Sequence, residues 1–269
     1  MSVKREPSGR RSVQVEIEVP GTPEQVWQAI ATGPGISSWF VPTKVVPGVG
    51  GEMTLDFGPG MESKSKVTAW DPPRMFAAES RDGGPDAPPM ATEWIVEARA
   101  GGTCIVRVVH SLFASKDDWD NQLESVEGGW PSFFAVLHYY LAHHAGEPSA
   151  LIQVTVPAPG SFDEAWATLS GSLGFAGAKA GQRIRAGGAG SPAFGGTVER
   201  ATNSPHGNGV VVHLDVPLSG VALAGAYACG GPSLAMISLY LYGPRAAETA
   251  RRDDAQWKSW MGSLFTVTA

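Results

Sequence analysis

The segment Val13–Thr32, VQVEIEVPGTPEQVWQAIAT, decides the fold because a related segment, LIQVTVPAPGSFDEAWATLS, occurs again at Leu151–Ser170. Each copy begins with alternating apolar and polar residues, the period-two pattern of a half-buried β-strand. A Val-Pro pair, a glycine-containing turn and an acidic helix start follow, and each helix carries a tryptophan, Trp27 or Trp166. Two copies of one strand–helix beginning predict two domains of the same kind.

The far ends of the two copies also correspond, since WPSFFAVL at Trp130 resembles WKSWMGSL at Trp257. We therefore expect a first domain over residues 13–145 and a second, divergent domain over 151–269. Glycine and proline cluster between them, which predicts a linker at residues 146–150. Residues 1–12 are expected to form a polar N-terminal tail.

The order of elements in the first domain indicates an α+β fold. A strand and two helices are followed by short strands, separated by turn residues, and by one long C-terminal helix. The short strands are GEMTLDF (51–57), SKSKVTAW (63–70), RMFAAES (74–80), ATEWIVEARA (91–100) and TCIVRVVH (103–110). An antiparallel sheet buries its apolar face, so the long helix should lie across that face.

Composition and charge limit the classes of function. A net charge of -6 without a basic block argues against nucleic-acid binding, and no apolar run is long enough for a membrane span. The two cysteines, Cys104 and Cys229, form neither a disulfide framework nor a zinc motif. A cytoplasmic protein is expected. No cofactor motif is present, and nothing in the sequence indicates a protein partner.

Several stretches together resemble the activator of heat shock protein 90 ATPase homologue family, of the START/Bet v 1-like (SRPBCC) superfamily. They are VEIEVPGTPEQVWQAIATGPGISSWFVP, GGEMTLDFG, VTAWDPPRMFAAES and GW..FF.VL.YYL. The resemblance is ordered over about residues 13–145 and partial over 151–265. It implies two tandem helix-grip domains, each a curved antiparallel sheet wrapped around a long C-terminal helix, with a cavity between them.

That resemblance does not fix the function. The superfamily includes carriers of lipids and small molecules, polyketide aromatase/cyclases, sequestering resistance proteins and co-chaperones. The eukaryotic co-chaperone carries an additional N-terminal chaperone-binding domain, and nothing of that kind precedes Val13. Activation of a chaperone is therefore not expected.

Strand alternation makes His110 the leading polar candidate. Cys104, Val106, Val108 and His110 share the inward face of their strand, where a histidine could act as a general base or orient a polar ligand. The alternative is a hydrogen-bonded structural histidine at a strand end. Cys104 is expected to be a small core residue.

The C-terminal helix of the first domain, within Gly128–Gly146, carries an aromatic stripe that includes Trp130 and Phe134. His138 lies at the boundary of this stripe and is the helical histidine that could meet a ligand. His143 and His144 lie elsewhere, and no two histidines have the i, i+4 spacing of a metal pair, so no metal site is expected.

An aromatic interior with few polar groups is typical of a small-molecule site. Our leading hypothesis is non-catalytic binding of a small hydrophobic or aromatic ligand in the first domain, with the second domain structural or part of an interface. The candidate ligand contacts are Trp39, Phe57, Trp70, Trp94, His110, Phe113, Trp130, Phe134 and His138.

Two alternatives remain open. One is a polyketide cyclase, dehydratase or hydrolase that uses His110 as acid or base, assisted by His138, although His110 is only a weak catalytic candidate. The other is a protein-interaction or co-chaperone-like module, which predicts a filled interior without a cavity.

Overall fold

The computed structural model describes residues 3–58, 60–81, 87–114, 119–187, 190–228 and 231–266, apart from the side chains of residues 121 and 122. The chain divides into two compact units, Met1–Ala145 and Gly146–Ala269. Each unit contains an antiparallel sheet and a long C-terminal helix. The predicted α+β fold with tandem units is confirmed.

The first unit forms one sheet whose described strands are in the order β1-β2-β8-β7-β6-β5-β4-β3. Its elements are β1 (Lys4–Arg5), β2 (Arg10–Pro20), α1 (Pro23–Ala31), α2 (Gly33–Ser37), β3 (Thr43–Val45), β4 (Glu52–Asp56), β5 (Glu62–Asp71), β6 (Met75–Ser80), β7 (Met90–Arg99), β8 (Thr103–Phe113) and α3 (Asp120–His143). Trp130 of α3 contacts Trp94 of β7 and His110 of β8, so this helix covers the inner face of the sheet.

The second unit forms a sheet whose described strands are in the order β10-β11-β12-β13-β14-β9. Its elements are β9 (Ser149–Pro157), α4 (Phe162–Ser172), β10 (Arg183–Ala186), β11 (Phe194–Ser204), β12 (Gly207–Val216), β13 (Gly220–Tyr227), β14 (Leu234–Tyr242) and α5 (Ala246–Leu264). Trp257 of α5 contacts Phe194 of β11 inside one apolar core. No helix in the described part of the chain is long and apolar enough to cross a membrane.

The repeat has a local physical basis at the start of its first helix. In α1, the hydroxyl of Thr22 accepts from the backbone N–H of Gln25, and the Gln25 side chain accepts from the Thr22 N–H. Ser161 and Glu164 form the same capping box at the start of α4. Each box satisfies two backbone donors that a helix start leaves open.

The N-terminal residues differ from the polar tail that the sequence suggested. Lys4–Arg5 forms β1, and β2 already begins at Arg10. The guanidinium of Arg11 is buried and forms an ion pair with Asp120, the first residue of α3, at 2.7 Å. This pair joins the beginning of the sheet to the beginning of the helix that covers it.

Two further boundaries differ from the expected ones. Helix α3 begins at Asp120 rather than within Gly128–Gly146, so Gly128 and Pro131 lie inside it. A proline in a helix interior has no N–H to donate, and its ring crowds the carbonyl of the preceding turn. Strand β9 begins at Ser149, within the segment predicted to be a linker.

Candidate functional site

The interior of the first unit contains a group of aromatic rings in mutual contact, here called the aromatic cluster. Its members are Trp39, Phe40, Phe57, Trp94, Trp130, Phe133 and Phe134. Trp130 lies at the centre, with ring centroids 5.2 Å from Trp94, 5.3 Å from Phe40 and 5.4 Å from Phe134. Such contacts are favourable beyond simple apolar burial because the rings meet edge to face or offset.

Each ring reaches the cluster from a different element. Strand alternation turns Trp94 of β7 inward, and the helical stripe of α3 does the same for Trp130 and Phe134. Trp39 and Phe40 follow α2, and the Trp39 indole donates to the carbonyl of Ala29 at 2.9 Å. This bond fixes the segment after α2 to α1 at one side of the cluster.

Trp70 of β5 lies beside the cluster rather than inside it. Its ring contacts Trp27 at 5.1 Å and Phe76 at 5.7 Å, and Phe76 in turn stacks on Trp94 at 6.1 Å. Phe57 and Phe133 are only partly buried, whereas Trp39, Trp94 and Phe134 are at most 5% exposed. The cluster therefore has a partly open side at Phe57 and Phe133.

His110 is the polar residue that the structure brings against this cluster. Its ring is 6% exposed, and Nε2 accepts a 2.7 Å hydrogen bond from the indole Nε1–H of Trp130. An indole nitrogen can only donate, so Nε2 carries no proton. The proton of the neutral ring is therefore on Nδ1, which lies 3.0 Å from the Thr92 hydroxyl oxygen and donates to it.

Burial lowers the pKa of His110 to about 4, because the apolar surroundings disfavour the charged imidazolium. The ring is therefore neutral near pH 7, and both of its nitrogens are engaged. His110 could accept a proton from a bound molecule only after Trp130 releases Nε2.

Two of the candidate residues do not lie in the interior. Phe113 is 64% exposed, since at the end of β8 it alternates with Leu112, which faces inward. His138 is exposed on α3, while the adjacent Leu137 is fully buried. The alternation that pointed to His110 would also have placed Phe113 outward.

Sequence reasoning missed Thr92 and Phe40 as members of the site. Thr92 faces inward with Trp94 on β7 and is paired directly opposite His110 in the sheet. The period-two pattern of β7 carried this signal, because residues 92 and 94 share a face. Phe40 lies after α2, outside any periodic element, and no pattern in the sequence could have placed it.

Neither a cluster of metal-ligating side chains nor an exposed thiol occurs among the described residues. No group of three or more histidine, cysteine, aspartate or glutamate side chains there could hold a metal ion. Cys104 is fully buried, its thiol donates to the carbonyl of Gly21, and burial raises its pKa, so it stays protonated. Cys229 lies outside the described residues.

A pocket of about 520 Å³, here called the outer pocket, is lined by strand residues that point away from the aromatic cluster. Its lining includes Gln14 of β2, Glu93 of β7 and Arg107 of β8, together with Glu127 of α3. Arg107 is paired with Glu16 and Glu97 at 3.1 and 2.8 Å. This outer pocket is polar and open, unlike the aromatic interior.

The second unit repeats the tryptophan but not the histidine. Pro20 pairs with Thr103 in the first unit as Pro157 pairs with Leu234 in the second, and in this register Leu241 takes the place of His110. Trp257, which corresponds to Trp130, is fully buried, and its Nε1–H has no hydrogen-bond partner among the described residues. The indole–imidazole bond is therefore a feature of the first unit.

Residues 10–134 match a protein family described as "Polyketide cyclase / dehydrase and lipid transport". The match covers most of the first unit, including β8 and the Trp130 region of α3. No curated protein is detectably similar to the chain in sequence.

Several solved structures are similar in fold. The di-domain ARO/CYC BexL, from the BE-7585A biosynthetic pathway, is 14% identical with a TM-score of 0.46, over 96% of this chain and 100% of its own. DynU16, from the dynemicin biosynthetic locus, is 19% identical with a TM-score of 0.44, over 94% and 96% of the two chains. The Aha1 dimer from Colwellia psychrerythraea is 21% identical with a TM-score of 0.41, over 50% and 98%. At these values no activity or ligand of those proteins transfers to this chain.

Proposed function

We propose that the first unit binds a small hydrophobic or aromatic molecule between its sheet and α3, and that His110 binds this molecule without converting it. The observation that carries the proposal is the hydrogen bond between Trp130 and His110 beside the aromatic cluster. Small-molecule sites are mostly apolar, with a few polar groups that fix the orientation of the ligand. The match to a family whose description includes lipid transport supports the same reading.

In this proposal the ligand enters on the side of Phe57 and Phe133, whose rings are partly exposed. Both rings contact Phe40, which stacks on Trp130, so their displacement would lead directly to the indole–imidazole pair. The proposed contacts are Trp39, Phe57, Trp70, Trp94, Trp130 and Phe134, with His110 as the polar group. Phe113 and His138 are not part of it, because they lie at the surface.

The neutral state of His110 supports binding rather than catalysis. A general base works best with a pKa near the working pH, and burial moves the pKa of His110 down to about 4. Its described hydrogen-bond partners, Trp130 and Thr92, do not titrate near neutral pH. A proton relay would need a second titratable group in contact with the His110 ring, and neither of these partners provides one.

The test is a titration of the full chain with naphthalene, combined with native mass spectrometry of freshly purified protein. Two variants form a matched pair, since Phe134→Leu alters a ring of the cluster and Phe113→Leu alters an exposed ring. We expect Phe134→Leu to weaken naphthalene binding about threefold to tenfold and Phe113→Leu to leave it unchanged. Absence of binding, or equal effects of the two variants, would contradict the proposal.

An enzymatic function is the second candidate, favoured by the words cyclase and dehydrase in the description of the matching family. A substrate that displaced the Trp130 indole would leave His110 Nε2 as an acceptor for its proton. His110→Gln keeps an acceptor oxygen but cannot take up that proton. Turnover of a polyketide-like aromatic precursor that disappears in this variant, while binding persists, would replace the binding proposal with this one.

A protein-interaction role is the third candidate, and the direct packing of the aromatic rings favours it. A filled interior is what such a module predicts, and a co-chaperone-like role belongs to this class. It predicts that naphthalene-sized molecules do not bind and do not co-purify. The titration above therefore separates it from the two ligand-binding hypotheses.

A further inference from the structure

We infer that the ligand of the first unit carries a hydrogen-bond donor, a phenolic or enolic hydroxyl group, which replaces the indole N–H of Trp130 at Nε2 of His110. This inference rests on the proposed function, since it names the chemical class of the molecule bound there. It follows from which atoms of the site can donate and which can accept.

The first step is the orientation of the His110 ring. Trp130 Nε1 can only donate, and it lies 2.7 Å from Nε2, so Nε2 presents a lone pair toward the aromatic cluster. Thr92 then holds the proton at the other nitrogen, because its hydroxyl oxygen accepts from Nδ1–H at 3.0 Å. Trp130 therefore sets the tautomer of His110, and Thr92 is a positioning residue that holds the Nδ1 side of the ring.

The second step is the cost of leaving that lone pair without a donor. His110 is buried, so water cannot replace the indole if a ligand pushes Trp130 aside. In the tautomer that the structure shows, an ether or ketone oxygen facing Nε2 would bring two acceptors together. A hydroxyl group on an aromatic or enolic carbon satisfies Nε2 and leaves its ring among the rings of the cluster.

The second unit provides an internal contrast. Leu241 takes the place of His110 and offers no acceptor, while the Trp257 N–H has no partner among the described residues. A preference for hydroxylated ligands should therefore depend on the first unit alone. Substitutions at Trp257 serve as controls.

The experiment compares two probes of nearly equal size, 2-naphthol and 2-methoxynaphthalene, by calorimetric titration of the full chain. The naphthol can donate to Nε2 and its methyl ether cannot. We expect the naphthol to bind about tenfold more tightly, the effect of one buried hydrogen bond. Trp257→Phe should leave this ratio unchanged.

Three variants show which side chains produce the preference for the naphthol. His110→Leu should abolish the preference, and Trp130→Phe should strengthen naphthol binding alone, because the competing indole donor is gone. Thr92→Val should reduce the preference. It should also change the ¹⁵N shift of His110 Nδ1, because its N–H loses an acceptor, while Nε2 keeps the indole donor; a purely structural role would not shift Nδ1 alone. His110→Leu changes a buried residue and could impair folding. Thr92→Val and Trp130→Phe therefore test the inference without relying on that variant.

Each outcome decides the inference. A tenfold preference that is lost in His110→Leu supports it. Equal binding of both probes, or a preference that persists in His110→Leu, overturns it while leaving the proposed ligand-binding function intact. If neither probe binds, the proposed function fails and the inference fails with it.

Discussion

The indole Nε1–H of Trp130 in α3 donates a 2.7 Å hydrogen bond to Nε2 of His110 in β8. The bond joins the helix to the inner face of the sheet, between two side chains that are each 6% exposed. It pairs a donor-only group with an acceptor and so satisfies two polar groups in an apolar interior. In the second unit the same tryptophan position lacks this partner.

The different surroundings of Trp130 and Trp257 predict that the same substitution destabilises the protein by different amounts at the two positions. Trp130→Phe leaves Nε2 of His110 buried without a donor, whereas Trp257→Phe removes an N–H that has no described partner. The lost ring volume is the same in both variants. We therefore expect Trp130→Phe to reduce stability by about 1–3 kcal/mol more than Trp257→Phe.

Hydrogen exchange, followed separately on peptides from the two units, measures this difference at the level of each unit. The wild-type chain provides the reference for both. Equal losses of protection, or a larger loss in the unit of Trp257, would show that the Trp130–His110 bond contributes nothing net to stability.

The burial of His110 predicts that the first unit loses stability in mild acid. The pKa of His110 is lowered from 6.5 to about 4 in the folded state, so between these values the unfolded chain binds more protons than the folded one. The stability that depends on a neutral His110 is therefore fully present above about pH 6.5 and is lost as the pH falls toward 4. The shift corresponds to about 3 kcal/mol.

Urea denaturation at a series of pH values tests this prediction, with His110→Gln as the non-titrating reference. Carboxyl groups titrate in both proteins, so the difference between their pH profiles isolates His110. Parallel profiles between pH 6.5 and 4 would mean that His110 titrates normally and is not buried as the structure shows.

The ion pair between Arg11 and Asp120 predicts a large effect from a residue far from the aromatic cluster. Both side chains are nearly buried, with 9% and 12% exposure, and the pKa of Asp120 is lowered by its hydrogen bonds to Arg5 and Arg11. Asp120→Ala removes the carboxylate that Arg11 and Arg5 share at this nearly buried position. We expect a loss of about 3 kcal/mol or more in the free energy of unfolding.

Arg5→Ala is the matched control, because Arg5 pairs with the same carboxylate at 2.6 Å but its side chain is 59% exposed. Exposed pairs contribute about 1 kcal/mol or less, so this variant should unfold at nearly the wild-type urea concentration. A loss as large as that of Asp120→Ala would indicate that Arg5, rather than the buried Arg11, is the main partner.

The repeated segment made the architecture predictable from sequence, because strand alternation and helix capping are local. The Thr22 cap and the inward position of His110 both follow from residues within one turn or one strand. The two hydrogen-bond partners of His110 do not follow from the local sequence. Trp130 and Thr92 reach it from α3 and β7, and only tertiary packing sets those distances.

The expectations that were wrong or incomplete also concern features that depend on tertiary packing. Lys4–Arg5 is too short and polar to be recognised as a strand, and it forms one by pairing with β2. The aromatic candidates other than Phe113 lie in or beside the aromatic cluster, but the sequence did not reveal that their rings would contact one another. Phe40 joined them through the position of α2, which no periodic pattern encodes.

The most direct test of the account is a crystal structure of the full chain with 2-naphthol bound. We predict that the naphthol ring lies among Phe40, Trp94 and Phe134, with its hydroxyl within hydrogen-bond distance of His110 Nε2 and the Trp130 indole displaced. Naphthol density in the polar outer pocket beside Arg107 or in the second unit, with the Trp130–His110 bond intact, would contradict the account.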